Sequence, residues 1–501
     1  MIVECPVRAS AQRSPRSLAL VFAEQHWTYQ QLDLQVEGWA SELERRGVRR
    51  GDRLALLCGN VPQFVFLVHA LARLGAILVP LSARWTEAEI APVLEAIGPR
   101  LVIAPRPMQL IFGEDTLDWL YLDQVDPNTH SSAHPPEAPL RATLDSEAIQ
   151  AILFTSGTTG IPKGAQLSVG NFAHSARASA DNLGGDPEQR WLACLPLYHV
   201  GGLAMLIRCA WYGSALVLHE RFDPDQVNAS MERDGISHLS LVETALREVL
   251  QSRGPRPFPS SLKAALIGGG PASPELLANA RRASLPALHT YGLTEATSQV
   301  STERRGEADG STAGRPLTGI SVRIVDAQGQ SVAGGKPGEI EVRGPTVMRG
   351  YFGDDAATAA SFRGDWLRTL DIGSLDERGR LTVFARRADL ILSGGENVYP
   401  AEVERALAAH PKIAAAAVIA QPDAKWGQVP VAAFVVRQGR PSADELERHC
   451  RSRLAAFKVP KRFVELQSLP CNHQGKLDRA AIRNLVERAL ERPGARENQS
   501  A

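Results

Sequence analysis

The chain has 501 residues, of which 44% are hydrophobic and 22% charged, and its 55 basic residues balance its 55 acidic residues. A chain of this length exceeds one compact core, so we expect a large domain and at least one smaller domain. The charge balance excludes a broad polyanion-binding surface, and we predict no nucleic-acid partner.

The cysteine spacing and the N-terminal sequence argue against several further classes of protein. The six cysteines are scattered without a CxxC or paired Cys/His spacing, which disfavours a disulfide framework or a zinc site. Residues 1–17 lack the apolar core of a signal peptide, and the most apolar run, 64–83, contains His69 and Arg73. We therefore predict a cytoplasmic protein without a membrane span.

From residue 18 to about 102, strand patterns such as RLALLCGN alternate with helical patterns such as YQQLDLQVEGWASELERRG. This alternation predicts layered α/β structure. Residues 126–139, DPNTHSSAHPPEAP, are rich in Pro, Ser and His and predict an exposed connector. The apolar run AIQAILF then enters the glycine-rich turn TSGTTG, a context in which backbone N–H groups can bind an anion.

The runs HLSLVE, AALIGGGPAS and ALHTYGLTE repeat a strand followed by a glycine or hydroxyl turn, which predicts strand ends converging on one crevice. After residue 338 the pattern changes to alternating strands, followed by a helix, YPAEVERALAAHP, and two further strands. We predict a large domain over 1–387, a small domain over 388–490 and a disordered tail over 491–501.

The segment TSGTTGIPKG (155–164) is a candidate phosphate loop. A Walker A loop requires Gly-Lys-Ser/Thr at its end, whereas Pro162 precedes Lys163 and Gly164 follows it. No HRD or DFG pattern of a kinase is present. A flexible surface loop is the alternative for this segment alone.

Other motifs follow it in a defined order: LPLYHVGG (195–202), GGGPAS (268–273), TYGLTEATSQ (290–299), GEIEVRGPTVMRGYF (338–352), WLRTLD (366–371), ARRADLILSGGENVYP (385–400) and NHQGKLDR (472–479). This series closely resembles the adenylate-forming superfamily of acyl-CoA synthetases, luciferases and peptide synthetase adenylation domains. The resemblance covers nearly the whole chain. It implies an α/β fold with a large N-terminal domain of layered α/β sheets plus a distorted barrel, and a small mobile α+β C-terminal domain.

The resemblance also implies the reaction. A carboxylate attacks ATP to give an acyl-adenylate and diphosphate, and the thiol of CoA then displaces AMP. ATP, Mg²⁺, CoA and a small-molecule carboxylate are the expected ligands. A non-catalytic nucleotide-binding relative is the distant alternative, and a homodimer is left open.

The expected roles are carried over motif by motif. Lys476, Thr294, Glu295 and His199 are expected to act in catalysis, with Glu295 also a Mg²⁺ ligand. His199 is expected to gate the acyl pocket or bind substrate, with a buried hydrogen-bonded histidine as the alternative. The ATP/AMP-binding set is Thr155, Ser156, Gly157, Thr158, Thr159, Lys163, Gly269, Gly270, Pro271, Tyr291, Asp371 and Arg386. Leu370 stands where the superfamily usually has glycine.

The resemblance also implies two further sets of site residues, one for CoA and one for the acyl group. The CoA-binding set is Ser393, Gly394, Gly395, Glu396 and Trp426, although Trp426 could instead pack in the small domain. The acyl-pocket set is His199, Gly202, Leu203, Leu293, Ala296, Ser298 and Gln299.

Within the superfamily, the TSQV residues that follow Ala296 most resemble the o-succinylbenzoate–CoA ligases of menaquinone biosynthesis. Medium-chain fatty acid and aryl-CoA synthetases are the alternative.

Overall fold

The computed structural model describes residues 2–82, 85, 87–106, 117–124, 142–155, 163–270, 272–332, 334–386, 389, 391–393, 396–423, 426–454, 456–472 and 476–490; of 87–89, 385, 386, 392, 396 and 397 it describes the backbone alone. The predicted connector 126–139 and tail 491–501 lie outside these residues. The helices are α1 (Pro6–Arg13), α2 (Tyr29–Arg45), α3 (Pro62–Leu74), α4 (Glu87–Ile97), α5 (Val169–Leu183), α6 (Val200–Tyr212), α7 (Pro224–Arg233), α8 (Glu243–Arg253), α9 (Pro274–Arg282), α10 (Asp355–Ser361), α11 (Pro400–Ala408), α12 (Ala443–Arg451) and α13 (Arg479–Leu490).

The strands of the large domain are β1 (Ile2–Glu4), β2 (Leu18–Phe22), β3 (Gln25–Thr28), β4 (Arg53–Leu57), β5 (Ile77–Leu81), β6 (Leu101–Ala104), β7 (Trp119–Tyr121), β8 (Thr143–Asp145), β9 (Ile149–Thr155), β10 (Lys163–Ser168), β11 (Arg190–Ala193), β12 (Ala215–Leu218), β13 (His238–Leu241), β14 (Ala264–Ile267), β15 (Ala287–Leu293), β16 (Ser298–Thr302), β17 (Arg315–Pro316), β18 (Ser321–Val325), β19 (Gly338–Arg343), β20 (Phe362–Arg363), β21 (Trp366–Leu375) and β22 (Leu381–Arg386). Those of the small domain are β23 (Ile391–Ser393), β24 (Glu396–Val398), β25 (Ile413–Asp423), β26 (Gly427–Val436) and β27 (Arg462–Glu465).

Two mainly parallel sheets form most of the large domain. One has nine strands in the order β17-β16-β15-β14-β13-β11-β12-β2-β3, and the other has six in the order β10-β9-β5-β4-β6-β7. Both are covered by helices on both faces, so their central strands are apolar along their length. In β4, for example, Leu54 and Leu56 belong to the main core, whereas Ala55 and Leu57 belong to a second core with α4.

A third sheet has five antiparallel strands. Along the chain, these strands follow those of the two large sheets and precede those of the small domain. Its order is β18-β19-β21-β20, with β22 beside β21. We predicted a distorted barrel in this domain; the pairing of the described strands in this sheet does not close into a ring. The sheet has its own core, which includes Ile324, Ile340 and Val342.

The small domain is a five-stranded sheet with helices on both faces. Its strand order is β24-β23-β26-β25, with β27 parallel to β26. In β25, Val418 packs with α11 and α12, whereas Ala417 and Ile419 pack with α13. The predicted boundary at 387/388 falls between β22, in the third sheet, and β23, in this one.

The helices of the described residues include none that is both long and apolar enough to cross a membrane.

A buried carboxylate fixes β15, the strand that leads into the TYGLTE motif. Glu303 is 3% exposed and accepts hydrogen bonds from the His289 N–H at 2.7 Å and the Arg281 guanidinium at 2.7 Å. Its second oxygen accepts the N–H groups of Asp309 and Gly310 at 3.0 and 2.7 Å. Glu303 thus joins α9, β15 and the turn after β16.

Replacing Glu303 with alanine should lower the free energy of unfolding by about 3 kcal/mol or more, because four donors lose a buried acceptor. Urea denaturation measures this change. Glu307→Ala is the control, since the Glu307 carboxylate is exposed and, among the described residues, its ion pair is with Arg315 at 3.7 Å; this change should cost less than about 1 kcal/mol. Equal losses in both variants would contradict the assigned role.

Candidate active site

A cavity of about 950 Å³ lies where the two large sheets, the third sheet and the small domain meet. The parallel strands β13, β14 and β15 are neighbours, so their carboxyl ends reach the same edge of the sheet. Residues at or just beyond those ends line the cavity, among them Val242, Gly268 and Thr294. The crevice predicted from the strand-and-turn repeats is therefore present.

The candidate phosphate loop joins two paired strands. β9 and β10 are antiparallel, with Thr155 opposite Lys163, and both residues line the cavity. The Lys163 ammonium lies 5.5 Å from the centre of the Tyr351 ring. Predicted loop residues that lie outside the described part of the chain are Ser156, Gly157, Thr158 and Thr159.

Thr294 and Glu295 occupy a single helical turn that follows β15, and both line the cavity. The Glu295 carboxylate accepts a hydrogen bond from the Tyr351 hydroxyl at 3.0 Å. The chain then returns sharply into β16 through Ser298, whose φ is +81°. A Cβ at Gly292 would lie 1.6 Å from the Ser298 carbonyl oxygen, so this turn requires glycine.

The predicted nucleoside residues lie around Asp371. Its carboxylate accepts a hydrogen bond from the Tyr291 hydroxyl at 2.7 Å and lines the cavity. Arg386 pairs with Asp371 between β21 and β22 through the backbone, and its side chain is outside the described atoms. Gly269 also lines the cavity, whereas Gly270 is exposed beside it and Pro271 lies outside the description.

Lys476 is the residue of the small domain that reaches this cavity. Its loop is fixed by reciprocal bonds with Asn472, whose side-chain oxygen accepts the Lys476 N–H at 3.1 Å and whose N–H donates to the Lys476 carbonyl at 2.7 Å. A Cβ at Gly269 would lie 3.9 Å from Lys476 Cε. The lysine therefore passes close to the backbone of the large domain.

The predicted acyl-pocket residues divide into two groups. His199, Gly202, Leu293, Ser298 and Gln299 line the cavity. Leu203 and Ala296 do not; both are fully buried, Leu203 in the main core and Ala296 in the core of the third sheet. His199 stands at the N-terminus of α6, with its ring 4.6 Å from that of Tyr198.

Arg208 is a wall residue of the cavity that our sequence reasoning missed. It is 2% exposed, and burial lowers the pKa of its guanidinium. Its guanidinium lies 5.1 Å from the Trp191 ring centre. Among the described residues it has no carboxylate partner, and its Nε has no hydrogen-bond acceptor. A sequence signal existed, because Arg208 is the lone charge in the apolar helix VGGLAMLIRCAWY.

Asn60 was also missed. Its amide donates to the carbonyls of Leu195 and His219, both at 3.0 Å, and accepts the Leu197 N–H at 2.9 Å. It therefore holds the LPLYH segment in place before α6. No local pattern marks this asparagine, since its partners are more than a hundred residues away in the chain.

Ser393 and Trp426, the predicted CoA-binding residues whose side chains the structure describes, belong to the small domain and do not line the cavity. Ser393 pairs with Glu396 and with Gly427, and Trp426 precedes Gly427 with its side chain 42% exposed. Gly394 and Gly395 lie outside the described residues.

Comparison with known proteins agrees with this architecture. The AMP-binding enzyme family model matches residues 7–352, and that of the AMP-binding enzyme C-terminal domain matches residues 402–476. The chain belongs to the AMP-binding enzyme family. The 2-succinylbenzoate–CoA ligase of Bacillus cereus is 38% identical over 481 residues, which cover 95% of this chain and 97% of that protein.

Solved structures of o-succinylbenzoate CoA synthetase from Bacillus subtilis are similar to this structure over nearly the whole chain. The complex with the acyl-adenylate intermediate OSB-AMP has a TM-score of 0.88 at 36% identity, covering 96% of this chain and 98% of that one. The complex with ATP and magnesium ion has a TM-score of 0.88 at 35% identity, covering 96% and 100%. A double mutant bound to the product analogue OSB-NCoA has a TM-score of 0.73 at 37% identity, covering 97% and 98%. The fold predicted from the motifs is confirmed.

The cavity suits a magnesium ion that is bound together with a nucleotide. The described residues contain no cluster of three or more His, Cys, Asp or Glu side chains able to hold a metal alone. Mg²⁺ is commonly bound through one or two carboxylates plus substrate phosphates and water. Glu295, a wall carboxylate opposite Thr155 and Lys163 in one cavity, fits that arrangement.

Leu370 departs from the superfamily pattern without displacing the aspartate that follows it. Its φ is +60°, in the left-handed region, and its side chain is 45% exposed at the cavity. Left-handed backbone costs a residue with a Cβ about 1 kcal/mol. The turn thus keeps a glycine-like conformation at the expense of strain, and Asp371 keeps its bond to Tyr291.

Leu370→Gly should therefore be about 1 kcal/mol more stable than Leu370→Ala, because both lose the same exposed side chain and only glycine relieves the strained φ. Chemical denaturation of the two variants measures the difference. The apparent KM for ATP should be similar in both. Equal stability of the glycine and alanine variants would show that the backbone here is unstrained.

Proposed function

We propose that this protein is a 2-succinylbenzoate–CoA ligase that converts 2-succinylbenzoate, ATP and CoA into the acyl-CoA, AMP and diphosphate by way of an acyl-adenylate. The observation that carries the substrate assignment is Arg208, a buried cation on the wall of the cavity that has no carboxylate partner among the described residues. A buried charge is costly unless it is paired. A substrate with a second carboxylate would supply the missing partner, whereas a fatty acid would leave Arg208 unpaired.

The relatives support the same substrate. Proteins named for 2-succinylbenzoate or o-succinylbenzoate match this chain over nearly its whole length at 35–38% identity. Ser298 and Gln299 add polar groups to the lining of the same cavity, so the residues around the acyl site are not exclusively apolar.

The first half-reaction needs a carboxylate to approach a polyphosphate, and the two anions repel each other. Lys163 and Lys476 bring fixed positive charge to the cavity. We assign Lys476 to the attacking carboxylate and the α-phosphate, Lys163 and Thr155 to the β- and γ-phosphates, and Thr294 to the α-phosphate. Asp371 would accept the ribose hydroxyls. When bound, Mg²⁺ held by Glu295 would neutralise phosphate charge during the displacement.

The orientation of the small domain supports an assignment of this structure to the first half-reaction. Lys476 lies in the cavity, while Ser393 and Trp426 lie away from it. The higher TM-scores with the ATP and acyl-adenylate complexes than with the product-analogue complex point the same way. We infer that the small domain must rotate before the CoA-binding residues can face the acyl-adenylate.

The first test compares substrates. Diphosphate release with ATP, Mg²⁺ and CoA should be strongest with o-succinylbenzoate, and much weaker with 3-benzoylpropionate, which lacks the ring carboxylate, and with benzoates and fatty acids of graded length. Preference for a monocarboxylate would overturn the substrate assignment and favour a medium-chain or aryl-CoA synthetase.

Arg208→Met should lower kcat/KM for o-succinylbenzoate about 30-fold or more, since a lost buried charge pair costs about 2 kcal/mol or more. The same variant should change kcat/KM for 3-benzoylpropionate less than about threefold, because that substrate has no second carboxylate to pair. The ratio of the two values in one preparation is independent of the fraction of folded enzyme. Arg177→Met, at an exposed arginine of α5, is the control and should leave the ratio unchanged. Equal losses with both substrates in Arg208→Met would contradict the pairing.

Lys476→Ala should nearly abolish acyl-adenylate formation while leaving thioester formation from supplied acyl-adenylate largely intact, because the lysine leaves the cavity when the domain rotates. Single-turnover assays of each half-reaction measure the two rates. Lys461→Ala removes an exposed lysine of the same domain and should affect neither. Comparable losses in both half-reactions of Lys476→Ala would contradict the domain rotation.

A further inference from the structure

Tyr351 contacts both of the charged side chains that we assign to the triphosphate and its metal. Its hydroxyl donates to the Glu295 carboxylate at 3.0 Å, and its ring lies beneath the Lys163 ammonium at 5.5 Å. All three residues line the same cavity. Tyr351 belongs to the motif GEIEVRGPTVMRGYF, for which the sequence predicted no site residue.

The backbone around Tyr351 is bonded to the same two elements. The Phe352 N–H donates to the Gly164 carbonyl at 2.8 Å, and Tyr351 forms a bridge with Ala165 on the strand that begins at Lys163. The Met348 N–H donates to the Glu295 carbonyl at 2.8 Å. The segment 348–352 therefore fixes the ring relative to the backbones of both Lys163 and Glu295.

Tyr351 is also held by a neighbouring helix. The Tyr351 N–H is itself bonded to the Thr358 hydroxyl at 2.8 Å, which ties the residue to α10. Its position thus does not depend on a ligand.

This arrangement keeps two opposite charges from neutralising each other. Lys163 and Glu295 contact the same ring, yet within the described part of the chain they form no ion pair. The Tyr351 hydroxyl donates a hydrogen bond to the Glu295 carboxylate, and the face of its ring attracts the Lys163 ammonium. Without the tyrosine, the two side chains could turn toward each other and cancel the charges that the nucleotide and its metal need.

We propose that Tyr351 is a positioning residue that orients Glu295 for the metal and Lys163 for the terminal phosphates of ATP. This inference rests on the proposed function, which assigns those two ligands to the cavity. The hydroxyl orients Glu295 and the ring orients Lys163, so substitutions of Tyr351 can separate the two contributions.

Tyr351→Phe removes the hydroxyl and keeps the ring, whereas Tyr351→Leu removes both. Calorimetric titration of the full-length protein with ATP at graded Mg²⁺, without carboxylate or CoA, reports binding independently of turnover. In Tyr351→Phe, the Mg²⁺ concentration that gives half of the gain in ATP affinity should rise about tenfold, as expected for loss of a partner that orients a metal ligand. The Kd for ATP at saturating Mg²⁺ should stay within about twofold of the natural protein. In Tyr351→Leu, that Kd should also rise about two- to fivefold.

Tyr212→Phe is the matched control, because it removes a phenol hydrogen bond to the Ala176 carbonyl at a site that does not line the cavity. Its Mg²⁺ dependence should equal that of the natural protein. The inference is overturned if Tyr351→Phe retains the natural Mg²⁺ dependence, or if Tyr212→Phe shifts by the same factor. Failure of the natural protein to bind ATP in a Mg²⁺-dependent manner would overturn the proposed function itself, which distinguishes the two results.

Discussion

The repulsion between two anions is the constraint on which the rest of this structure depends. A carboxylate must come into contact with a polyphosphate, and two unit charges 4 Å apart at a protein surface repel by about 4 kcal/mol. The cavity meets this demand with cations from different parts of the chain, Lys163 from a strand of the six-stranded sheet and Lys476 from the small domain. Because the second cation comes from a separate domain, the proposed rotation of that domain would withdraw it once the acyl-adenylate has formed.

The large sheets serve to place short turns at one edge. Parallel strands bring their carboxyl ends together, and the turns that follow carry Gly269 and Thr294 to the cavity wall. These turns are irregular, and distant contacts hold them in place. Glu303 ties β15 to α9, and Asn60 holds the segment before α6. Buried polar residues on other elements thus hold these turns at the edge of the cavity.

Sequence motifs were sufficient to predict which residues lie at the cavity when the position of a residue depends on its immediate neighbours in the chain. Lys163, Glu295, Asp371 and Lys476 each stand within a motif, and each lies on the wall of one cavity. The pattern of a strand followed by a glycine turn likewise predicted where the sheets would converge. In those cases the spacing along the chain determines the geometry, because a few residues of turn fix the direction of each side chain.

The remaining residues depend on the tertiary structure and could not be predicted in the same way. Leu203 was expected in the acyl pocket because it lies in the segment after the PLYH motif, yet it packs into the main core. Ala296 is likewise buried, although the preceding Glu295 faces the cavity. Neither Tyr351 nor Arg208 was identified from the sequence. The fold brings Tyr351 into contact with Lys163 and Glu295, and it places Arg208 on the wall of the cavity.

Arg208 has a consequence beyond recognition of the substrate. In the part of the chain that the structure describes, no carboxylate pairs with the buried Arg208 guanidinium. An unpaired buried charge lowers the stability of the ligand-free protein, and a dicarboxylate in the cavity would offset that cost. A ligand that binds only the folded state stabilises it by RT ln(1 + [L]/Kd), so the gain rises with the logarithm of the ligand concentration. Proteases and chaperones act on the unfolded fraction, so stability differences of this size change how long a protein survives in a cell. The supply of the dicarboxylate would therefore set the abundance of this enzyme as well as its rate of turnover.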